Sequence, residues 1–156
     1  MATTIIPSSL TVTISESYTL NGVSYGNTMN KTYPTNGQVS QRVMSIASKG
    51  SGSTTFTNIL ALTTIDGQGQ VVKADYKYFR IANSDTVNTL NLRLYNGSDY
   101  VAVKVSPSSS FLLMDAGIDS PVNATTAITF ADITAIAGQS DSATDAIDVE
   151  FIIVTD

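Results

Sequence analysis

A chain of 156 residues, 42% hydrophobic and 13% charged, has the size and composition of one globular domain with enough surface to bury a core of its own. It contains no Cys and no His, which excludes disulfides, thiolate nucleophiles, Ser-His-Asp and Cys-His triads, and His-containing zinc or iron sites. The net charge of -5 disfavours nucleic acid as a partner; all eight Lys and Arg lie between Lys31 and Lys104, and the stretch beyond Lys104 holds eight acids and no base.

The opening MATTIIPSSL has neither the basic start nor the apolar core of a secretory signal, and no run reaches the roughly 18 apolar residues that span a bilayer. A soluble protein without a membrane partner is expected. Residues 1–9, ended by Pro7-Ser8-Ser9, read as an N-terminal arm or edge strand, and residues 10–156 as a single domain. Leu10, Val12 and Ile14 alternate with Thr11, Thr13 and Ser15, and the strand continues through Tyr18 and Leu20 to the hairpin turn Asn21-Gly22. The return from Val23 to about Tyr33 is poor in apolar residues and stops at Pro34-Thr35-Asn36-Gly37, the pattern of an edge strand or a flap.

Val39 to Ala47 fits both strand and helix spacing; we read it as a strand. After the turn Lys49 to Ser53 comes a strand from Thr54 to Ile65, with Phe56, Asn58, Leu60 and Leu62 on one phase, closed by Asp66-Gly67-Gln68-Gly69. Val71-Val72 starts a short strand, and Tyr76 to Ala82 forms the next. The run TLNLRLYNGSDYVAVKV then reads as two strands on one turn. Leu90, Leu92 and Leu94 face Val105, Val103 and Val101, because each position n opposes 195 minus n. Phe111 to Asp115 is apolar on both phases, the mark of a strand buried on both faces. Ala127 to Ala137 and Ala146 to Thr155 supply the last strands, separated by a turn at Gly138 to Ser142, with Ile147, Val149, Phe151 and Ile153 on the core phase. Short strands at turn-bounded spacing predict an all-β domain: an antiparallel β-sandwich, a jelly roll or a related Greek key.

Few motifs carry chemistry. Lys49-Gly50-Ser51-Gly52-Ser53-Thr54 lacks the order of a phosphate loop and has no helix after it, so it reads as a turn. Asp66 in its turn, Asp115 with Asp119, and Asp141 with Asp145 and Asp148 miss the ligand order of a calcium loop and read as surface turns. Asn30, Asn96 and Asn123 head glycosylation patterns of the kind a Ser/Thr-rich chain produces by chance. No catalytic or metal-ligating residue and no cofactor is assigned, and an enzyme is not expected.

The phase opposite the core residues of the central strands is richer. It carries Tyr76, Tyr78, Arg80, Arg93, Tyr95, Tyr100 and Lys104, residue types that protein interfaces enrich. The ordinary alternatives are a solvated strand face or one covered by the protein's own second sheet. As an interface, this face would complement the acid-only last third of a second copy.

With LTVTISESYTLNGVSYG near the start and YKYFRIANSDTVNTLNLRLYNGSDYVAVKVSPSSSFLL in the middle, the chain resembles the small, Cys-free, Ser/Thr/Asn-rich structural proteins of tailed-phage virions, above all head-decoration (cement) proteins and related head or tail accessory β-sandwiches. That resemblance implies a non-enzymatic virion component, assembled in the host cytoplasm. It would form homo-oligomers, as trimers or rings, and stabilise the shell by contacts with the major capsid protein or other virion proteins. A tail or neck component is the neighbouring reading. A carbohydrate-binding module using Tyr76, Tyr78, Tyr95 and Tyr100 as a stacking platform is the reading from another class, and the absence of Trp weighs against it.

Overall fold

The computed structural model describes residues 8–35, 39–50, 55–63, 71–72, 76–97, 99–114 and 132–155. Among them are strands and no helix: β1 (Ser8–Leu20), β2 (Val23–Thr35), β3 (Val39–Ile46), β4 (Thr57–Thr63), β5 (Val71–Val72), β6 (Tyr76–Asn83), β7 (Leu90–Tyr95), β8 (Tyr100–Val105), β9 (Ser110–Met114), β10 (Ala135–Ser140) and β11 (Ile147–Thr155). The ambiguous stretch after Val39 is a strand, because its partner is a strand: β3 lies antiparallel on β11 from Val39 opposite Val154 to Ile46 opposite Ile147.

Nine strands form two sheets, one ordered β3-β11-β6-β9 and the other β5-β4-β10-β7-β8. Every pairing is antiparallel except that of the two-residue β5 with β4. The sheets share one core. Phe79, Ile81, Val149, Phe151 and Ile153 from the first sheet meet Ile59, Leu90, Leu92, Leu94 and Ile136 from the second, the interdigitation of a β-sandwich. Leaving β5 aside, the strands pair in nested order, β3 with β11, β4 with β10, β6 with β9 and β7 with β8, as in one long double strand rolled onto itself.

Local chemistry fixes the register. On β7 and β8, Leu90, Leu92 and Leu94 face Val105, Val103 and Val101 as the alternation predicts. The β6–β7 connector, which passes from one sheet to the other, is held by Asn83. Its Nδ2 donates to the carbonyls of Asn88 at 2.9 Å and Val105 at 3.3 Å, and its Oδ1 accepts from Asp85 N at 3.1 Å. The Asp85 carboxylate accepts from the backbone N–H groups of Asn88 at 2.6 Å and Val87 at 2.7 Å, and those bonds hold its pKa below the ordinary aspartate value.

Two expectations are corrected. The turn expected at Gly138 to Ser142 begins later, because Gly138, Gln139 and Ser140 are buried residues of β10. Gly138 belongs there because a Cβ would come within 2.9 Å of both Ile59 Cδ1 and Leu90 Cδ1; the missing side chain is the room those two core residues occupy. In β4 the core position is Ile59, out of phase with Leu62, because the strand bulges there: Leu60 lies opposite Ile136 and Asn58 opposite Ala137. The glycine-containing turn after Ile65, and Asp115 with Asp119, lie outside the described residues.

β1 and β2 form a sheet of their own, a long hairpin paired from Ser8 opposite Thr35 to Leu20 opposite Val23. Asn21 and Gly22 both take positive φ, 50° and 79°, which is the turn that a two-residue hairpin requires. The strand continues through Pro34, past the expected stop.

Candidate interaction surfaces

The outward phases of β7 and β8 bring four of the seven expected interface residues together. Tyr95 lies directly opposite Tyr100, with ring centroids 5.5 Å apart, and Arg93 and Lys104 flank them along the same face. Arg93 is clamped by aromatic rings: its guanidinium carbon lies 3.8 Å from the centre of Phe56 and 4.1 Å from that of Tyr100. Stacking of this kind uses the flat faces of the guanidinium and leaves its edge free to donate hydrogen bonds. The clamp forms one wall of an open depression of about 340 Å³ that Asn91, Ala102 and Lys104 also line.

Tyr76, Tyr78 and Arg80 do not join this patch. They stand on β6, which belongs to the other sheet, so the single Tyr and Arg face expected from the sequence is divided between opposite sides of the sandwich. Tyr76 is turned into the main core, because Val154 and Thr155 pair with Tyr78 and Tyr76 and leave Lys77 as an extra residue in β6. Its hydroxyl donates to the carbonyl of Leu113 at 2.6 Å. Arg80 points outward and donates through Nη2 to Glu150 Oε1 at 2.7 Å, which also accepts from Gln41 Nε2 at 3.0 Å. Tyr78 points outward as well, yet it is only 5% exposed, because the base of the β1–β2 hairpin lies on it. That burial raises its phenol pKa, and the neighbouring Arg80 charge offsets part of the rise.

The hairpin is two-faced along its whole length. Directly opposed residues share a face, so the register places Leu10 with Tyr33, Val12 with Lys31, Ile14 with Met29, Glu16 with Asn27, Tyr18 with Tyr25 and Leu20 with Val23 on one side. The reverse side carries the Ser, Thr and Asn positions, tied across the strands by Thr11 with Thr32, Thr13 with Asn30 and Ser15 with Thr28. Near the base the apolar side is buried: Val12 and Tyr33 pack with Tyr78 and Val154, and Leu10 and Ile14 lie against the same cluster with Leu112, Met114 and Ile152. β9 is apolar on both phases for this reason, with Phe111 and Leu113 in the main core and Leu112 and Met114 beneath the hairpin.

Towards the tip the same side is open. Tyr18 is 59% exposed, Leu20 57%, Val23 53%, Tyr25 46% and Met29 45%. Tyr18 and Tyr25 stack on each other, with centroids 5.3 Å apart and ring planes 15° apart. These five residues were not among the expected site, although the signal lay in the sequence: once Asn21-Gly22 is accepted as the turn, each position n opposes 43 minus n, and all nine large apolar residues fall on one face.

Among the described residues, no group of three or more carboxylates gathers closely enough to hold a metal ion. Asp145 serves its own turn, accepting from Ser142 Oγ at 2.9 Å, and Asp141 ties that turn to the β6–β7 connector, accepting from Thr89 N at 2.7 Å. No family model, curated protein or solved structure matches the chain. What these surfaces offer chemically is apolar area, stacked rings and hydrogen-bond donors: the means of binding.

Proposed function

We propose that this chain is a non-enzymatic structural protein of a tailed-phage virion, a capsid decoration protein that stabilises the shell through contacts with other virion proteins. The observation that carries the reading is the hairpin, whose outer half holds five large apolar residues in water at the end of a ribbon roughly 40 Å long. Apolar area concentrated on a projecting element suits the gripping of a neighbour; a small-molecule site would place it in a concave, enclosing pocket.

The nested strand order supports a jelly roll, an architecture used by viral shells and by lectins, and is compatible with the virion reading. The Arg93 clamp, with Lys104 beside it, gives the opposite side of the sandwich a cationic patch suited to an acidic protein surface. A tail or neck component would use the same surfaces at another place on the particle. The carbohydrate platform loses two of its four rings, because Tyr76 and Tyr78 are buried.

The test is immunogold microscopy of virions purified from lysates in which the chain is produced, using antibody raised against the purified protein. Labelled heads are the expected result, and labelled tails would move the protein to the neighbouring reading. Unlabelled particles, with the protein left in the soluble fraction, would overturn the virion assignment.

A further inference from the structure

We infer that the exposed face of the hairpin is covered by the same face of a second copy, the two arms lying antiparallel about a two-fold axis. This names the partner of one surface within the structural role proposed above and rests on that reading.

Among the described residues the ribbon beyond its base is a bare two-stranded sheet, a form that is marginally stable in water without a third layer. Its reverse side along residues 15–28 carries Ser15, Ser17, Thr19, Ser24, Thr28 and Gly26 and is made to stay wet, so cover is needed on one side only. Packing two such ribbons face to face buries both apolar sides and leaves both polar sides out, which is a miniature sandwich. Covering the five exposed residues removes on the order of 500 Å² per copy from water, or about 1,000 Å² for the pair, the range of reversible rather than permanent association.

Charge favours a second copy at this place. The net charge of -5 sets copies against one another as wholes, but residues 15–28 hold a single charged side chain, Glu16, so little of that repulsion is concentrated there. The direction follows from the base, where each arm already uses this face against its own sandwich. Two arms pointing the same way would drive each body into the other's arm; pointing in opposite directions, their outer halves meet freely. Leu20 and Val23 of one copy then lie over Ile14 and Met29 of the other. Tyr18 and Tyr25 lie over Glu16 and Asn27, whose side-chain oxygens can accept the phenol hydroxyls.

The test is sedimentation of the full chain over a concentration series, beside the variant Leu20→Ser/Tyr25→Ser, whose two changes fall on exposed positions. The wild type is expected to dimerise in the micromolar range, and the variant to dissociate roughly a hundredfold more readily with an unchanged circular dichroism spectrum. A wild type that stays monomeric to about 1 mM, or a dimer that ignores the variant, would overturn the inference. So would recruitment of a monomeric chain to phosphatidylcholine vesicles.

A second measurement does not depend on that variant folding. The chain has no Cys, so Val23→Cys and Met29→Cys each carry one thiol. With a short bis-maleimide, a mixture of the two variants should cross-link into dimers while each alone should not; equal cross-linking of either alone rules out the antiparallel pairing. No virion component is present in these experiments. A dimer never found on particles sinks the virion reading alone, and a monomer that labels heads sinks the arm pairing alone.

Discussion

On the four-stranded sheet Tyr78 points away from the sandwich core and is 5% exposed; on the five-stranded sheet Tyr100 also points away from the core and is 43% exposed. Both follow the outward phase of a strand, and both have an arginine near by, Arg80 in one case and Arg93 in the other. What separates them is a third layer. The base of the β1–β2 hairpin lies over Tyr78 and Val154, whereas the ring of Tyr100 borders an open depression. The fate of Arg differs in the same way: Arg80 is paired with Glu150, while Arg93 is held by rings with its edge available. Alternation along a strand decides which side a residue takes, and only the rest of the chain decides whether that side is surface.

Substitutions can break this contrast. The largest effect is expected for Tyr78→Ala, which should cost about 3 kcal/mol by emptying the contact under the hairpin, seen as a lower urea midpoint and faster hydrogen exchange around Val12 and Tyr33. Tyr100→Ala on the opposite face should cost under about 1 kcal/mol, and a comparable loss for both would mean that the hairpin base is not a real layer. Arg93→Ala should destabilise by about 1 kcal/mol through the lost stacking on Phe56 and Tyr100, read from the same urea titration; Arg93→Lys should recover little of it, because an ammonium does not stack flat. Arg80→Ala should cost about 0.5 kcal/mol or less, since each side chain of the Arg80–Glu150 pair is about a third exposed and water screens the charges.

The smallest effect appears only in alkali. Tyr78 has a raised pKa in the folded state, so its contribution is complete below the ordinary tyrosine value of 10.0 and is lost as pH rises above it through the folded value. Stability of the wild type should therefore fall in that window, with exchange at the hairpin base rising first. Tyr78→Phe should remove this component of the fall, and an unaltered alkaline profile would show that the phenol is not held under the hairpin.

The sequence made local pairing legible. The Leu90 to Val105 hairpin with its register and the core phase of β11 follow from alternation between neighbouring residues, and the two-sided packing of Phe111 to Met114 from an unbroken apolar run; the strand after Val39 also fits helix spacing and is decided by its partner β11. Distant pairing was hidden. Nothing near Tyr76 says that β6 lies between β11 and β9 in a different sheet from β7, and single-residue bulges at Ile59 and Lys77 shift the phase without a Gly or Pro to announce them. Gly138 reads as a turn residue because its reason for being small, the approach of Ile59 and Leu90, comes from two other strands. The two-faced hairpin was visible from its turn onward, and only its incomplete cover required the fold.

The cover of the hairpin also has a place in time. β1 and β2 are joined by a two-residue turn, and such hairpins close in roughly 1–10 μs once both strands are free. Tyr78, Leu112 and Val154, which bury the base, emerge from the ribosome later, and Val154 follows Thr35 by 119 residues (154 minus 35). At about 5–20 residues per second that interval lasts on the order of ten seconds. During it the full apolar side, base included, is presented to the surroundings of the nascent chain. Where neighbouring ribosomes on one message also hold exposed hairpins, the arm pairing proposed above would begin before the sandwich is complete.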